Sequence, residues 1–258
     1  MNDPILRFST RVENYVKYRP SYPKAILPML EQECGLTAES IIADVGSGTG
    51  FSATLFLDHG NQVYGIEPNL EMRTAGEAYL AQYPKFVSVD ARSEATTLPD
   101  HSLDFVVCAQ SFHWLNREQT RPEFVRILKP EGWLVILWND RITDSTPLLR
   151  AYEDALRKYS TDYSVVNHRR IEYGMLAEFF GGDHFQVRHF ENIQEFDYTG
   201  FIGRVLSSSY VPEPGHPNYE PLMTMLQAAF DEHNQDGKVY FEYDTQVFFG
   251  RLKPENQR

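Results

Sequence analysis

One stretch, Ile41-Ile42-Ala43-Asp44-Val45-Gly46-Ser47-Gly48-Thr49-Gly50, narrows the folds open to this chain more than any other. It opens as a short apolar run that carries two β-branched isoleucines and ends in valine. That is the pattern of a strand buried on both faces, as in parallel sheets. Three glycines then recur at every second position. Such a loop turns sharply and lets a ligand come close to the backbone, because no Cβ intervenes. The pattern predicts a helix from Phe51 that stops at Gly60, a good C-terminal cap. Strand, glycine loop and helix form the nucleotide-binding opening of a Rossmann-like α/β fold, with the ligand at the carboxyl end of the strand.

The spacing of the glycines bears on which nucleotide. A dinucleotide fingerprint reads G-x-G-x-x-G. Here the spacing is G-x-G-x-G, and Phe51 fills the place of the third fingerprint glycine. Bulk there is poor for a pyrophosphate packed on a helix end, which argues against a nicotinamide-dependent oxidoreductase, the second enzyme class that shares this opening. A second strand is predicted over Gln62–Ile66. Glu67 closes it, 21 residues after Gly46, where an acid can accept hydrogen bonds from a ribose diol. Asp44 to Gly50 together with Glu67 resembles the first two motifs of the class I S-adenosylmethionine-dependent methyltransferases. The resemblance implies S-adenosylmethionine as cofactor and S-adenosylhomocysteine as product. It places Asp44, Gly46, Ser47, Gly48, Gly50, Glu67 and Pro68 at the cofactor.

Composition sets outer bounds. At 258 residues and 42% hydrophobic, the chain suits one large α/β domain with a sizeable core. The expected layout is an N-terminal arm and lid helix over 1–35, a cofactor-binding half over 36–139, and cap helices with closing strands over 140–258. No apolar run approaches the ~20 residues of a membrane span, and the N-terminus lacks a signal-peptide pattern. Cys34 and Cys108 are the only cysteines, the first on a predicted helix and the second in a predicted buried strand. A disulfide framework is not expected, and a reducing cytoplasm is. The net charge of −12 disfavours a broad nucleic-acid footprint. The expected partner is a small molecule, with no nucleic acid and no membrane, bound by a monomer or homodimer.

Along the rest of the chain, Tyr18-Arg19-Pro20-Ser21-Tyr22-Pro23 precedes a predicted helix over about Pro23–Cys34. This motif resembles the N-terminal motif of a methyltransferase group that includes trans-aconitate methyltransferases. The resemblance directs Tyr18 and Arg19 to the methionine end of the cofactor or to an acidic substrate. The plainer reading is an arm packed on the domain. After Glu67, a helix is predicted from about Asn69 to Gln82. Met72 in its first turn lies near the adenosine in the resembled family, or else is a core methionine. A third strand, Phe86–Val89, ends at Asp90-Ala91. There the family pattern implies an acid on the adenine amino group, and the alternative is a plain loop acid.

A fourth strand over Leu103–Ala109 leads into Gln110-Ser111-Phe112-His113-Trp114-Leu115. This is where a transferred methyl group lies if the glycine loop is beside it, so Gln110 joins the cofactor set. A helix over about Glu118–Leu128 leads to a fifth strand ending near Asn139. Helices are predicted over about Pro147–Tyr159, Gly174–Phe180, Tyr198–Ser208 and Tyr219–His233. Strands are predicted over Phe185–Phe190 and Val239–Leu252. The implied architecture is a seven-stranded, mostly parallel sheet with an antiparallel last strand, helices on both faces, and a helical cap inserted after the fifth strand.

Methyl transfer is an in-line displacement at a carbon on sulfonium sulfur, whose leaving group is a neutral thioether. It needs alignment and exclusion of water, not a metal, and no Cys/His spacing here resembles a metal site. A carboxylate acceptor needs no base. A phenol or hydroxyl wants one, and His113 is the candidate, unless it merely lines the pocket. Tyr15, Trp114, Arg141, Arg204 and Tyr210 are the candidate acceptor-binding residues. Arginine suits an acidic guest because its planar fork donates two parallel hydrogen bonds. If Arg19, Arg141 and Arg204 all point to solvent and the pocket is lined only by apolar groups, that expectation fails. A non-catalytic module that binds S-adenosylmethionine remains the third functional class.

Overall fold

The computed structural model describes residues 17–161, 163, 171–182 and 184–252. The expected residue Tyr15 lies outside them. The elements in order are α1 (Ile26–Cys34), β1 (Ile41–Val45), α2 (Phe51–His59), β2 (Gln62–Ile66), α3 (Leu70–Tyr79), β3 (Phe86–Val89) and β4 (Leu103–Ala109). A 3-10 turn (Phe112–Trp114) then precedes α4 (Arg117–Ile127), β5 (Leu128–Arg141), α5 (Pro147–Tyr159), α6 (Tyr173–Phe180), β6 (Gln186–Phe196), α7 (Tyr198–Leu206), α8 (Tyr219–His233) and β7 (Val239–Gly250).

The seven strands form one sheet in the order β3-β2-β1-β4-β5-β7-β6. The first five pair in parallel, and β7 runs antiparallel to both β5 and β6. The central strands are apolar throughout because both faces are covered. In β4, Phe105 and Val107 pack with α1 and α2, while Val106 and Cys108 face α4 and α6. Each side chain buried this way contributes about 1.5–3 kcal/mol.

A third cluster forms the cap. Leu149, Tyr152 and Leu156 of α5 meet Phe201 and Val205 of α7, Leu222 and Leu226 of α8, and Phe241 of β7. The cap therefore draws on two insertions, one after β5 and one between β6 and β7. The helix α6 is not part of it, because Leu176, Phe179 and Phe180 pack on the sheet. β6 is also longer than the sequence suggests. It continues to Phe196 through Glu191-Asn192-Ile193-Gln194-Glu195, where exposed and half-buried residues alternate. As an edge strand it pairs only with β7.

Side chains of that second half of β6 hold the N-terminal arm. Asn192 Nδ2 donates to the Ser21 carbonyl at 2.7 Å, and Gln194 Nε2 donates to the Tyr18 carbonyl at 3.2 Å. The Tyr18 ring lies against α7 at Gly203, where a Cβ would sit 2.0 Å from it. It also meets Phe196 edge-on at 6.5 Å. The antiparallel register of β5 and β7 sets Arg141 opposite Tyr243. Cap, arm and sheet edge thus meet beyond the carboxyl ends of β4 and β5.

Candidate active site

The glycine loop has the conformation that its residues demand. Gly46 and Gly48 adopt φ of +71° and +55°, a region costly for any residue with a Cβ. The Gly46 and Ser47 amides donate to the Ile66 carbonyl at 2.8 and 3.1 Å, which folds the loop back over β2. Helix α3 presses on it from the other side, since a Cβ on Gly76 would lie 3.0 Å from the Gly48 carbonyl oxygen.

Glu67 binds this loop from within. Its Oε2 accepts from the Gly48 amide at 2.9 Å and its Oε1 from the Asn69 amide at 2.8 Å. Burial raises its pKa, against the pull of the Asn69 and Gly48 hydrogen bonds. Asn69 caps α3 by accepting from the Met72 amide, and this brings the Met72 methyl to the loop. Beneath the loop, Asp44 is fully buried and accepts from Ser52 Oγ at 2.6 Å. Its Oδ1 has no hydrogen-bond partner among the described residues. Burial pushes its pKa up to about 7, with Ser52 opposing and the nearby Glu67 charge adding.

A cavity of about 440 Å³ runs from this loop to the cap. At the loop end it is lined by Gly46, Gly48, Glu67, Pro68, Met72 and Ala91. Gln110, His113 and Trp114 form its middle. Gln110 holds a positive φ of +53° and donates through Nε2 to the Asn139 carbonyl at 2.9 Å. The His113 ring lies 4.6 Å from Trp114 and edge-on to Trp138 at 5.1 Å. At the cap end stand Arg19, Arg141, Arg204 and Tyr210.

Five expected residues do not line the cavity. Ser47 and Gly50 shape the loop from behind, and Asp44 lies below it. The Tyr18 ring is committed to Gly203 and Phe196, so only Arg19 of that pair reaches in. Asp90 turns outward to pair with Arg73 Nη2 at 2.9 Å, leaving its side chain 69% exposed. Arg92, Ser93 and Glu94 line the wall instead. Sequence reasoning missed these three, along with Trp138, Tyr163 and Tyr243. No spacing rule joins Tyr163 to Tyr243, because what brings them together is the β5–β7 pairing and the cap.

The three arginines are not solvated. Arg204 is 4% exposed, and its Nε donates to Tyr243 Oη and its Nη1 to Ser208 Oγ, both at 3.1 Å. Among the described residues it makes no ion pair. Arg141 donates through Nη2 to Glu153 Oε2 at 2.7 Å and to Tyr163 Oη at 3.0 Å, and lies over the Tyr152 ring at 4.7 Å. Its Nη1 is buried with no hydrogen-bond partner among the described residues. Glu153 is shared, since it also accepts from Arg157 at 3.1 Å and from Tyr163 at 2.6 Å. Burial alone would raise its pKa, but the Tyr163 and Arg141 bonds hold it below the usual carboxylate range. Arg19 Nη2 donates to the Ser207 carbonyl at 2.9 Å. The cap end of the cavity therefore carries net positive charge in surroundings where an unpaired charge is costly.

Comparison with known proteins agrees with this geometry. Residues 43–136 match a family model described as a methyltransferase domain. An uncharacterized methyltransferase-like protein of Schizosaccharomyces pombe is 34% identical over 159 residues, covering 60% of this chain and 59% of that protein. A probable S-adenosylmethionine-dependent methyltransferase of Saccharomyces cerevisiae is 26% identical over 173 residues, covering 61% and 57%. The matches thus span little more than half the length of these relatives. Among solved structures, a protein of Anaeromyxobacter dehalogenans provisionally assigned as a type II methyltransferase shares the fold. Its TM-score is 0.67 at 19% identity, over 92% of this chain and all of that one. A phosphoethanolamine N-methyltransferase of Haemonchus contortus, solved with S-adenosylhomocysteine, superposes with a TM-score of 0.56 at 12% identity, over 96% and 58%. By glycine loop, strand order and sequence likeness together, the chain is similar to S-adenosylmethionine-dependent methyltransferases, with the family match confined to residues 43–136.

Proposed function

We propose that the protein transfers a methyl group from S-adenosylmethionine to a carboxylate of a small acidic molecule. The observation that carries the acidic-acceptor reading is the buried arginine pair at the cap end. Arg204 has no carboxylate partner among the described residues, and the only one on Arg141 is shared with Arg157. Two buried guanidiniums facing one cavity are stabilised by an anionic guest.

The loop end suits the cofactor. The Glu67 carboxylate keeps lone pairs beyond the two used by the backbone and lines the cavity, where it would accept from a ribose diol. Gly48, without a side chain, leaves the backbone open to close approach. Met72 and Ala91 offer apolar surface for a base, and the buried Asp44 is an acid close to where a positive charge would lie. When bound, the cofactor supplies an electrophilic methyl group whose sulfur departs as a neutral thioether.

The chain's own contribution is placement. Arg19, Arg141 and Arg204 would hold the acceptor's carboxylates, and Trp114, Trp138 and His113 would wall the transfer point from water. A carboxylate is already ionised at neutral pH, so this acceptor needs no base. His113 would act as one only toward a hydroxyl acceptor.

The test is a labelled-methyl screen over small carboxylic acids, phenols and amines, followed by Arg19→Ala. Acids should take the label as methyl esters. Loss of one charge-assisted contact, about 1.5–3 kcal/mol, should weaken the acid about ten- to a hundredfold. Label entering amines alone, with acids inert, would refute the acidic-acceptor reading.

A further inference from the structure

Tyr210 stands at the cap end of the cavity, only partly exposed. Its surroundings can be followed element by element. From α7, Arg204 Nη1 donates to Ser208 Oγ at 3.1 Å, and the Ser208 hydroxyl is hydrogen-bonded to that of Tyr210. From the N-terminal arm comes the charge of Arg19, and from β5 that of Arg141. The Tyr163 ring meets Tyr210 edge-on at 4.9 Å. Tyr152 and Glu153 approach from α5 and Tyr243 from β7.

Three guanidiniums therefore face one phenol. The Glu153 carboxylate on α5 is already held by Arg141, Arg157 and Tyr163. The hydrogen-bond directions matter as well. An ionised Tyr210 can only accept from Ser208, whereas the neutral phenol can turn its proton to the cavity, its open side.

We propose that Tyr210 is the proton-exchanging member of the anion pocket. In its ionised form, the Tyr210 phenolate balances the arginines while no acceptor is bound. When a carboxylate enters, Tyr210 takes one proton from solvent and donates its O–H to that carboxylate. The exchange balances: phenolate plus proton plus carboxylate gives phenol hydrogen-bonded to carboxylate.

Burial opposes ionisation of Tyr210, yet Arg204, Arg141 and Arg19, with the Ser208 bond, lower its pKa below the usual phenol value. Tyr152 and Tyr163 move the other way, raised first by burial. What sets Tyr210 apart from these two is the added charge of Arg19 and the bond with Ser208. The proposal rests on the acidic-acceptor reading and adds a pH dependence to it. Carboxylate affinity should be flat below the pKa of Tyr210 in the free site and fall about tenfold per pH unit above it.

The test uses succinate as probe, titrated calorimetrically into the protein saturated with S-adenosylhomocysteine, from about pH 6 to about pH 10. Two buffers of different ionisation enthalpy count the protons. Tyrosinate absorbance is followed in parallel. Wild type should take up about one proton per succinate above the Tyr210 pKa and lose tyrosinate signal on binding. Tyr210→Phe should bind succinate with neither the uptake nor the slope. Ser208→Ala should move the early tyrosinate titration toward the ordinary phenol range, and Ser208→Thr should restore it.

Succinate binding with the same slope and proton uptake in wild type and Tyr210→Phe overturns the proposal and leaves the acidic-acceptor reading intact. Wild type that binds no succinate at any pH, while binding S-adenosylhomocysteine, overturns both. Coincident tyrosinate titrations of wild type and Tyr210→Phe below the ordinary phenol range overturn the proposal without reference to any ligand.

Discussion

Replacing Asp44 by Asn tests the electrostatics beneath the glycine loop directly. The carboxyl group is 0% exposed, accepts one hydrogen bond from Ser52, and leaves Oδ1 without a partner. Its pKa stands near 7, about three pH units above the ordinary aspartate value, chiefly through burial. At 1.36 kcal/mol per unit, the folded state pays about 4 kcal/mol to hold this group ionised. The sign follows from proton binding. Below the ordinary aspartate pKa, both folded and unfolded states hold the proton and the cost is absent. Between about pH 4 and about pH 7 the folded state holds the proton while the unfolded state has lost it, so stability falls as pH rises. Above about pH 7 the full cost is present.

Asn mimics the protonated acid, since it accepts from Ser52 and places a donor at the second position. Urea unfolding of both proteins over about pH 4 to about pH 8 is the assay, with unchanged m-values confirming comparable unfolding. The stability of Asp44→Asn relative to wild type should climb with pH by up to about 4 kcal/mol and level off above about pH 7. A difference that stays constant across the range would refute the raised pKa and the desolvation argument behind it.

Glu67→Ala should weaken S-adenosylhomocysteine at least about tenfold by calorimetry, since each bond to a charged acceptor contributes about 1.5–3 kcal/mol. It should also lower stability, because the Gly48 and Asn69 amides lose their partner; unchanged affinity would remove the ribose role. Gly48→Val forces a branched side chain onto φ of +55° and to 3.3 Å from the Met72 methyl. Cofactor binding should be lost in a protein that still folds, and a crystal structure with cofactor in an undisturbed loop would show the reasoning wrong.

What could be read from the sequence was what neighbours along the chain decide. The apolar run of β1, the alternate glycines after it and the acid closing β2 announce themselves within about 30 residues of one another. Each requirement there is local: a buried strand, a turn with positive φ, a cap. The second half of β6 escaped notice because Glu191 to Glu195 is strongly polar, and only pairing with β7 makes it a strand. That missed half holds Asn192 and Gln194, which tether the arm. The sequence also offered Arg19, Arg141 and Arg204 as candidates but could not decide between solvent and cavity. That choice belongs to tertiary structure. Burying a guanidinium is favourable only when carbonyl, hydroxyl and carboxylate oxygens meet it, most of them here from distant segments. Those partners are Ser207, Glu153, Tyr163, Ser208 and Tyr243, gathered from the cap and the last strand. Asp90 shows the converse. Its place at the end of β3 was legible, but Arg73 on the neighbouring helix draws it outward, away from the cavity.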